Sequence, residues 1–262
     1  MLAARDLTFA FGPRQAVRRV GLTVESGSRV AIVGPNGSGK STLLRLLGGH
    51  LSPTSGSVLL GASPVSALPP KRRARHIAIV PQALSLAFPF SVARFVAFGR
   101  HALDRSTSEE AVRDALDRVS LASRADDPVG ELSQGQQQRA SIARALCQLS
   151  GMPPGDRYLL ADEPTASLDP AHALPVQALF RELADDGVAV VAALHDLAAA
   201  SDFSSVLLMG ANGVPVAQGV PDSVLTDQPL RDAFGVAFRH HRDESGRTVA
   251  ICPTARDVHS RT

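Results

Sequence analysis

Lysine is scarce in this chain. Among 262 residues only Lys40 and Lys71 are lysines, and arginine carries nearly all the remaining positive charge. Lys40 closes the run Gly34-Pro35-Asn36-Gly37-Ser38-Gly39-Lys40-Ser41, which fits the pattern G-x-x-x-x-G-K-[ST]. Glycines allow consecutive backbone N–H groups to curl around phosphate oxygens without interference from a Cβ, and a helix beginning there adds positive potential. The apolar run Arg29–Val33 precedes the motif and a helical stretch, Thr42–Leu47, follows it, as a phosphate loop requires. In that setting Lys40 reaches the β and γ phosphates of a nucleotide and Ser41 holds Mg2+.

A second candidate is Tyr158-Leu-Leu-Ala-Asp162-Glu163, an apolar run ending in two acids. Standing alone, such a pair is most often a solvated strand end. Downstream of a phosphate loop it gains a purpose, with Asp162 binding Mg2+ directly or through water and Glu163 polarising an attacking water. A third is Leu132-Ser133-Gln134-Gly135-Gln136, continued by Gln137-Gln138-Arg139, at the start of a helical stretch, Gln134–Leu149. This is either an ordinary polar helix cap or a second helix N-terminus that offers amides and a hydroxyl to an anion.

In this order the motifs resemble those of the ABC ATPases, over essentially the whole chain from Leu2 to Gly219. Residues 132–136 resemble the family's LSGGQ signature, with Gln134 in place of its middle glycine. If that backbone needs a positive φ, glutamine is poorly suited to it. The resemblance implies that Gly34 through Thr42 bind ATP, and that Ser133, Gly135 and Gln136 contact a γ-phosphate held by a second copy closing head-to-tail. It further implies that Gln82 is the Q-loop glutamine, touching Mg2+ or water. Glu163 and His195 become the catalytic base and the switch histidine, and Asp169, after Ser167-Leu168, links the two sites of the dimer. Phe11 is placed to stack on adenine, although Phe9 is equally available and a core role is an alternative.

Leu84–Val92, with Phe88, Pro89 and Phe90, then Phe95–His101, and the Pro-rich loop from Leu149 to Arg157 resemble the iron-complex, haem and cobalamin importers, most of all the haem importer ATPases. This implies a homodimer on the cytoplasmic face of a bacterial inner membrane. It would work with two integral-membrane permease subunits and, indirectly, a periplasmic substrate-binding protein. The same resemblance gives haem as cargo, with another iron complex or cobalamin as the alternative. A soluble ABC ATPase acting on nucleic acid and a P-loop kinase are the competing classes.

These residues need a scaffold. Short β-branched runs, Arg29–Val33, Ile77–Val80, Tyr158–Leu160 and Val188–Val191, alternate with helical periods, predicting an α/β fold with a mainly parallel sheet. From Ala83 to Gly151 strands vanish, and Ser91–Phe98, Thr107–Val119 and Gln134–Leu149 read as helices, the second capped by Ser106-Thr107-Ser108. The family resemblance makes this a P-loop NTPase core with an N-terminal antiparallel β region and an inserted helical sub-domain. Its parts are 1–82, 83–151 with the signature, and 152–262. A strand, Val214–Gln218, and a short helix, Pro221–Leu225, follow, and the tail from Arg239, with His240-His241, reads as solvated.

Hydrophobic residues make up 44% and charged residues 20%, which suits a globular chain with a sizeable core. A net charge of +2 with no basic run gives no footprint for nucleic acid. Cys147 and Cys252 lack metal-ligand spacing, and the longest apolar stretch, Val188–Leu194, is far too short to span a bilayer. The N-terminus lacks the layout of a signal peptide.

Overall fold

The computed structural model describes residues 1–84, 89–102, 108–152, 155–244, 246 and 248–254. In chain order its strands are β1 (Leu2–Phe11), β2 (Arg14–Val24), β3 (Arg29–Val33), β4 (Ser55–Leu60), β5 (Ser63–Pro64) and β6 (Ile77–Val80). They continue as β7 (Arg157–Asp162), β8 (Val188–Ala193), β9 (Ser205–Met209), β10 (Pro215–Gly219), β11 (Phe238–Arg242) and β12 (Thr248–Pro253). The α-helices are α1 (Lys40–Leu47), α2 (Pro70–Ala74), α3 (Val92–Ala97), α4 (Ser108–Arg118) and α5 (Gln134–Leu149). After them come α6 (Pro170–Asp185), α7 (Leu197–Ala200), α8 (Pro221–Val224) and α9 (Asp227–Phe234). The chain divides into two compact units, one of residues 1, 25–28 and 67–190, the other of residues 2–24, 29–66 and 191–262.

In the unit that begins at Leu2, β2, β1, β4 and β5 form an antiparallel sheet, the expected N-terminal β region. Parallel pairing of β3 with β9, from Val30↔Ser205 to Val33↔Leu208, is extended by antiparallel β10. Val30 to Val33 are all buried, so β3 is a continuous apolar run, as expected where both faces of a parallel strand are covered. Burying each of Val30, Ile32 and Val33 contributes roughly 1.5–3 kcal/mol. Helix α1 packs Leu43, Leu44, Leu46 and Leu47 into the same core. Beyond β8, the Leu194 N–H donates to the Ile32 carbonyl at 2.9 Å, which lays the chain alongside β3 just before His195.

In the other unit β6 and β7 pair in parallel, Ile77↔Tyr158 through Val80↔Ala161. Among the described residues from 83 to 151 there is no strand beyond a single bridge, Ser91↔Pro128, in agreement with the all-helical expectation. Helix α5 runs over Gln134–Leu149 as expected, and Gln148 ties it to α2 and β6, its Nε2 donating to the carbonyls of Ala74 at 2.7 Å and Ile77 at 2.9 Å. Arg144 lies 5.1 Å from the centre of the Phe95 ring, and burial lowers its pKa. A Cβ on Gly99 would come 2.3 Å from the Arg144 carbonyl, so the chain after α3 can approach α5 only as glycine. Ser91 caps α3, accepting from the Arg94 N–H. The expected cap at Ser106 and Thr107, and Phe88 of the aromatic cluster, lie outside the described residues.

Two features were not anticipated. Helix α6 carries Pro175 in its interior, a residue that usually breaks helices. The tail from Phe238 forms a hairpin, β11 with β12, in which His240 is partly buried 3.2 Å from Asp227.

Candidate active site

The phosphate loop is shaped by glycines at places where no other residue fits. Gly34 has φ 150 and its Cβ would come 2.2 Å from the Met209 carbonyl; Gly39 has φ 93 and its Cβ would come 2.0 Å from the Ala16 carbonyl. Gly39 is also the N-cap of α1, and it supplies no side-chain cap, so the first N–H groups of α1 have no capping side chain. Lys40 is 5% exposed, and its Nζ donates to the carbonyls of Gly34 at 2.9 Å and Pro35 at 3.3 Å, holding the ammonium over the loop. Ser38 Oγ is buried with no hydrogen-bond partner among the described residues. A left-handed glycine cradle, an uncapped helix start, a buried ammonium and an orphaned hydroxyl fit a nucleotide's phosphates, and Ser41 follows with a hydroxyl suited to a hard cation.

The same unit holds two further expected residues. His195 is exposed directly after the β8 track, and the next residue, Asp196, caps α7 by accepting from the N–H groups of Ala198 and Ala199 at 2.8 and 3.2 Å. Phe11 is 52% exposed at the end of β1, edge-to-face with Phe9 at 4.8 Å. Phe11 is therefore not a core residue.

Gln82, Ser133, Gly135, Gln136, Asp162, Glu163 and Asp169 belong to the other unit. Asp162 is 7% exposed at the end of β7. Glu163 takes φ 50, the left-handed region that costs a non-glycine residue of order 1–2 kcal/mol. Its Oε2 accepts a hydrogen bond from Gln82 Nε2 at 2.8 Å, across 81 positions of sequence.

Ser133 and Gln136 form a capping box at the start of α5. The Ser133 N–H donates to Gln136 Oε1 at 2.9 Å, and the Gln136 N–H donates to Ser133 Oγ at 3.3 Å. Gln134 is the first helical residue of α5 and does not take a positive φ, so the departure from glycine costs nothing in backbone strain. Gly135 does not need a positive φ either; its constraint is space, since a Cβ would come 3.1 Å from Leu168 Cδ2 and 3.3 Å from the Ser167 carbonyl. The turn 167–169 thus presses on the signature of its own chain. Asp169 caps α6, and hydrogen bonds from the His172 ring at 2.8 Å and its N–H at 3.0 Å hold its carboxyl below the usual range. Burial, partly opposed by the charge of Asp169, lowers the pKa of Arg139. Leu168 and Gln138 are named in sequence only as neighbours of Asp169 and of the signature; their contacts, Leu168 against Gly135 and Gln138 donating to the Pro81 carbonyl, carry no signal in residue type.

A glycine-shaped phosphate loop on a mainly parallel α/β core, with an acid pair closing β7, is the arrangement of an ATP-hydrolysing transporter subunit. The ABC transporter family profile matches residues 17–166, and the chain belongs to that family. It is 38% identical over 243 residues to the hemin import ATP-binding protein HmuV of Rhizobium meliloti, spanning 91% of this chain and 93% of that one. Identity with HmuV of Rhodopseudomonas palustris is 40% over 258 residues, or 98% and 96% of the two chains. Among solved structures, the dimeric cassette of a bacterial ABC transporter superposes with a TM-score of 0.75 at 28% identity, covering 84% of this chain and 99% of that one. An inward-facing ABC transporter described as of metal-chelate type gives a TM-score of 0.80 at 26% identity, covering 97% and 98%. Among the described residues no helix is long and apolar enough to cross a membrane.

Proposed function

We propose that this chain powers uptake of haem across a bacterial inner membrane. It acts as a homodimer on the cytoplasmic face, against two integral-membrane permease subunits supplied by a periplasmic substrate-binding protein. The observation that carries the reading is near full-length similarity to proteins named for hemin import, at 38–40% identity. The three-part division at residues 82–83 and 151–152 belongs to the same reading, with the helical middle part meeting the permease. There Phe98 is 40% exposed, edge-to-face with Phe90 at 4.9 Å, an aromatic surface suited to a protein partner.

In the reaction, the N–H groups of residues 34–42 and the Lys40 ammonium bind and orient the ATP phosphates, and Phe11 takes the adenine. Ser41, Asp162 and Gln82 would hold Mg2+, which when bound neutralises phosphate charge. Glu163 takes a proton from water as the water oxygen bonds to the γ-phosphorus and the bond from that phosphorus to the ADP oxygen breaks. His195 steadies the γ-phosphate oxygens. Ser133, Gly135 and Gln136 of the second copy close over the same phosphate, so neither copy is complete alone. Asp169 carries the state of one site to the other.

The test is ATP-driven uptake by the protein purified with its membrane partners and reconstituted in vesicles, with haem, cobalamin and a ferric siderophore compared. Haem uptake abolished by Glu163→Gln is expected. Transport of cobalamin or siderophore without haem overturns the cargo. Purification with nucleic acid and no membrane subunit overturns the importer itself.

A further inference from the structure

Gln138 lies two residues beyond the capping box of α5 and is 3% exposed, a buried primary amide. A buried amide must be hydrogen-bonded or it destabilises the fold. Its Nε2 donates to the Pro81 carbonyl at 3.3 Å, 57 positions away in sequence. Proline has no N–H, so this carbonyl is the one hydrogen-bonding group that residue 81 offers, and it belongs to the planar peptide from which Gln82 departs. Gln82 Nε2 in turn donates to Glu163 Oε2 at 2.8 Å. Two amide contacts in series therefore run from the signature helix to the carboxylate that follows β7. At the far end, Glu163 has the left-handed φ of 50, a conformation that persists only where surrounding contacts hold it.

We infer that Gln138 is a positioning residue for hydrolysis: it fixes the Pro81–Gln82 peptide so that Gln82, through its hydrogen bond to Oε2, holds the Glu163 carboxylate in place. A shift of α5, whose first turn receives the second copy's phosphate, then reaches the base through two hydrogen bonds. The inference rests on the roles of Glu163 and Gln82 proposed above and adds a residue to them. A Gln138 that only satisfied a carbonyl would support stability and leave turnover on folded protein untouched.

The experiment is a double-mutant cycle on the full chain. Gln138→Met is close in shape and lacks the donor; turnover, ATP affinity and thermal midpoint are measured for it, for Gln82→Ala and for the pair. Turnover of Gln138→Met is expected to fall about 10- to 100-fold, the scale of a misplaced catalytic group. ATP affinity and KM should stay within about twofold. The pair should be no slower than Gln82→Ala alone, because both act through one contact. Wild-type turnover in Gln138→Met, effects that multiply in the pair, or affinity falling in step with turnover would each overturn the inference. If the methionine variant does not fold, Gln138→Asn, whose shorter amide cannot reach Pro81, runs the same cycle. Glu163→Gln is assayed alongside. Wild-type turnover there sinks the proposed base itself, whereas an inactive Glu163→Gln beside a fully active Gln138→Met sinks only the relay.

Discussion

Helices α1 and α5 are the two helix starts proposed to meet phosphate, and they begin in opposite ways. The start of α1 is bare, with a left-handed glycine N-cap, no capping side chain, and a loop held open by glycines pressed against the Ala16 and Met209 carbonyls. The start of α5 is self-sufficient, with Ser133 and Gln136 satisfying each other's N–H groups. The contrast follows from the two duties. A loop that wraps a nucleotide leaves its amides uncapped and relies on packing for its shape. A helix start proposed to meet phosphate only when a second copy closes is stabilised beforehand by its own capping box.

The contrast can be broken at either end. The largest effect is expected for Gly39→Ala, which adds a Cβ 2.0 Å from the Ala16 carbonyl at φ 93. Its unfolding free energy should drop by roughly 2–4 kcal/mol, with nucleotide binding lost, as read by thermal melts and titration. Lys40→Ala should leave the melt near wild type and weaken ATP binding by about 10- to 100-fold, the value of a charged hydrogen bond, measured by nucleotide titration. Ser133→Ala removes the cap and should cost about 1 kcal/mol, a thermal shift of about 2–4 °C. Its ATP affinity as a monomer should be unchanged, which separates the two helix starts. Gln134→Gly should change turnover by less than about twofold and stability by under about 1 kcal/mol, because Gln134 is already helical. A sharp rise in turnover would show that the native signature is weakened.

The smallest effect concerns Asp169. Its carboxyl is held below its ordinary 3.8 by hydrogen bonds from His172, first the ring and then the N–H. A depressed folded pKa stabilises the protein above the unfolded value, and that contribution is lost as pH falls through the folded value. A carboxyl-detected NMR titration should place the Asp169 midpoint below 3.8, and His172→Ala should move it back up.

Much was legible in residue order alone. The strand at Arg29–Val33 and helix α5 fell where periodicity put them, because each has its apolar residues at one period and stop signals at its ends. The hairpin of β11 and β12 was not legible. Strand β11, Phe238-Arg-His-His-Arg242, is rich in Arg and His and lacks apolar alternation, so only its pairing with β12 reveals it. Helix α6 was obscured by Pro175 despite the Asp169 cap and Pro170 at its start.

The site divides in the same manner. The phosphate loop was readable because its constraints are local: a glycine is needed where the backbone itself takes φ 93, and that need lies within one short stretch of chain. Asp162, Glu163 and residues 132–136 are picked out in sequence by the order of their neighbours, and the roles proposed for them rest on that order. Tertiary structure alone decided that Gly135 is required for closeness to Leu168 and not for its φ, and that Gln82 meets Glu163 while Gln138 holds Pro81. Those facts depend on distances between residues 33, 81 and 57 positions apart, and a sequence records spacing along the chain but not across it.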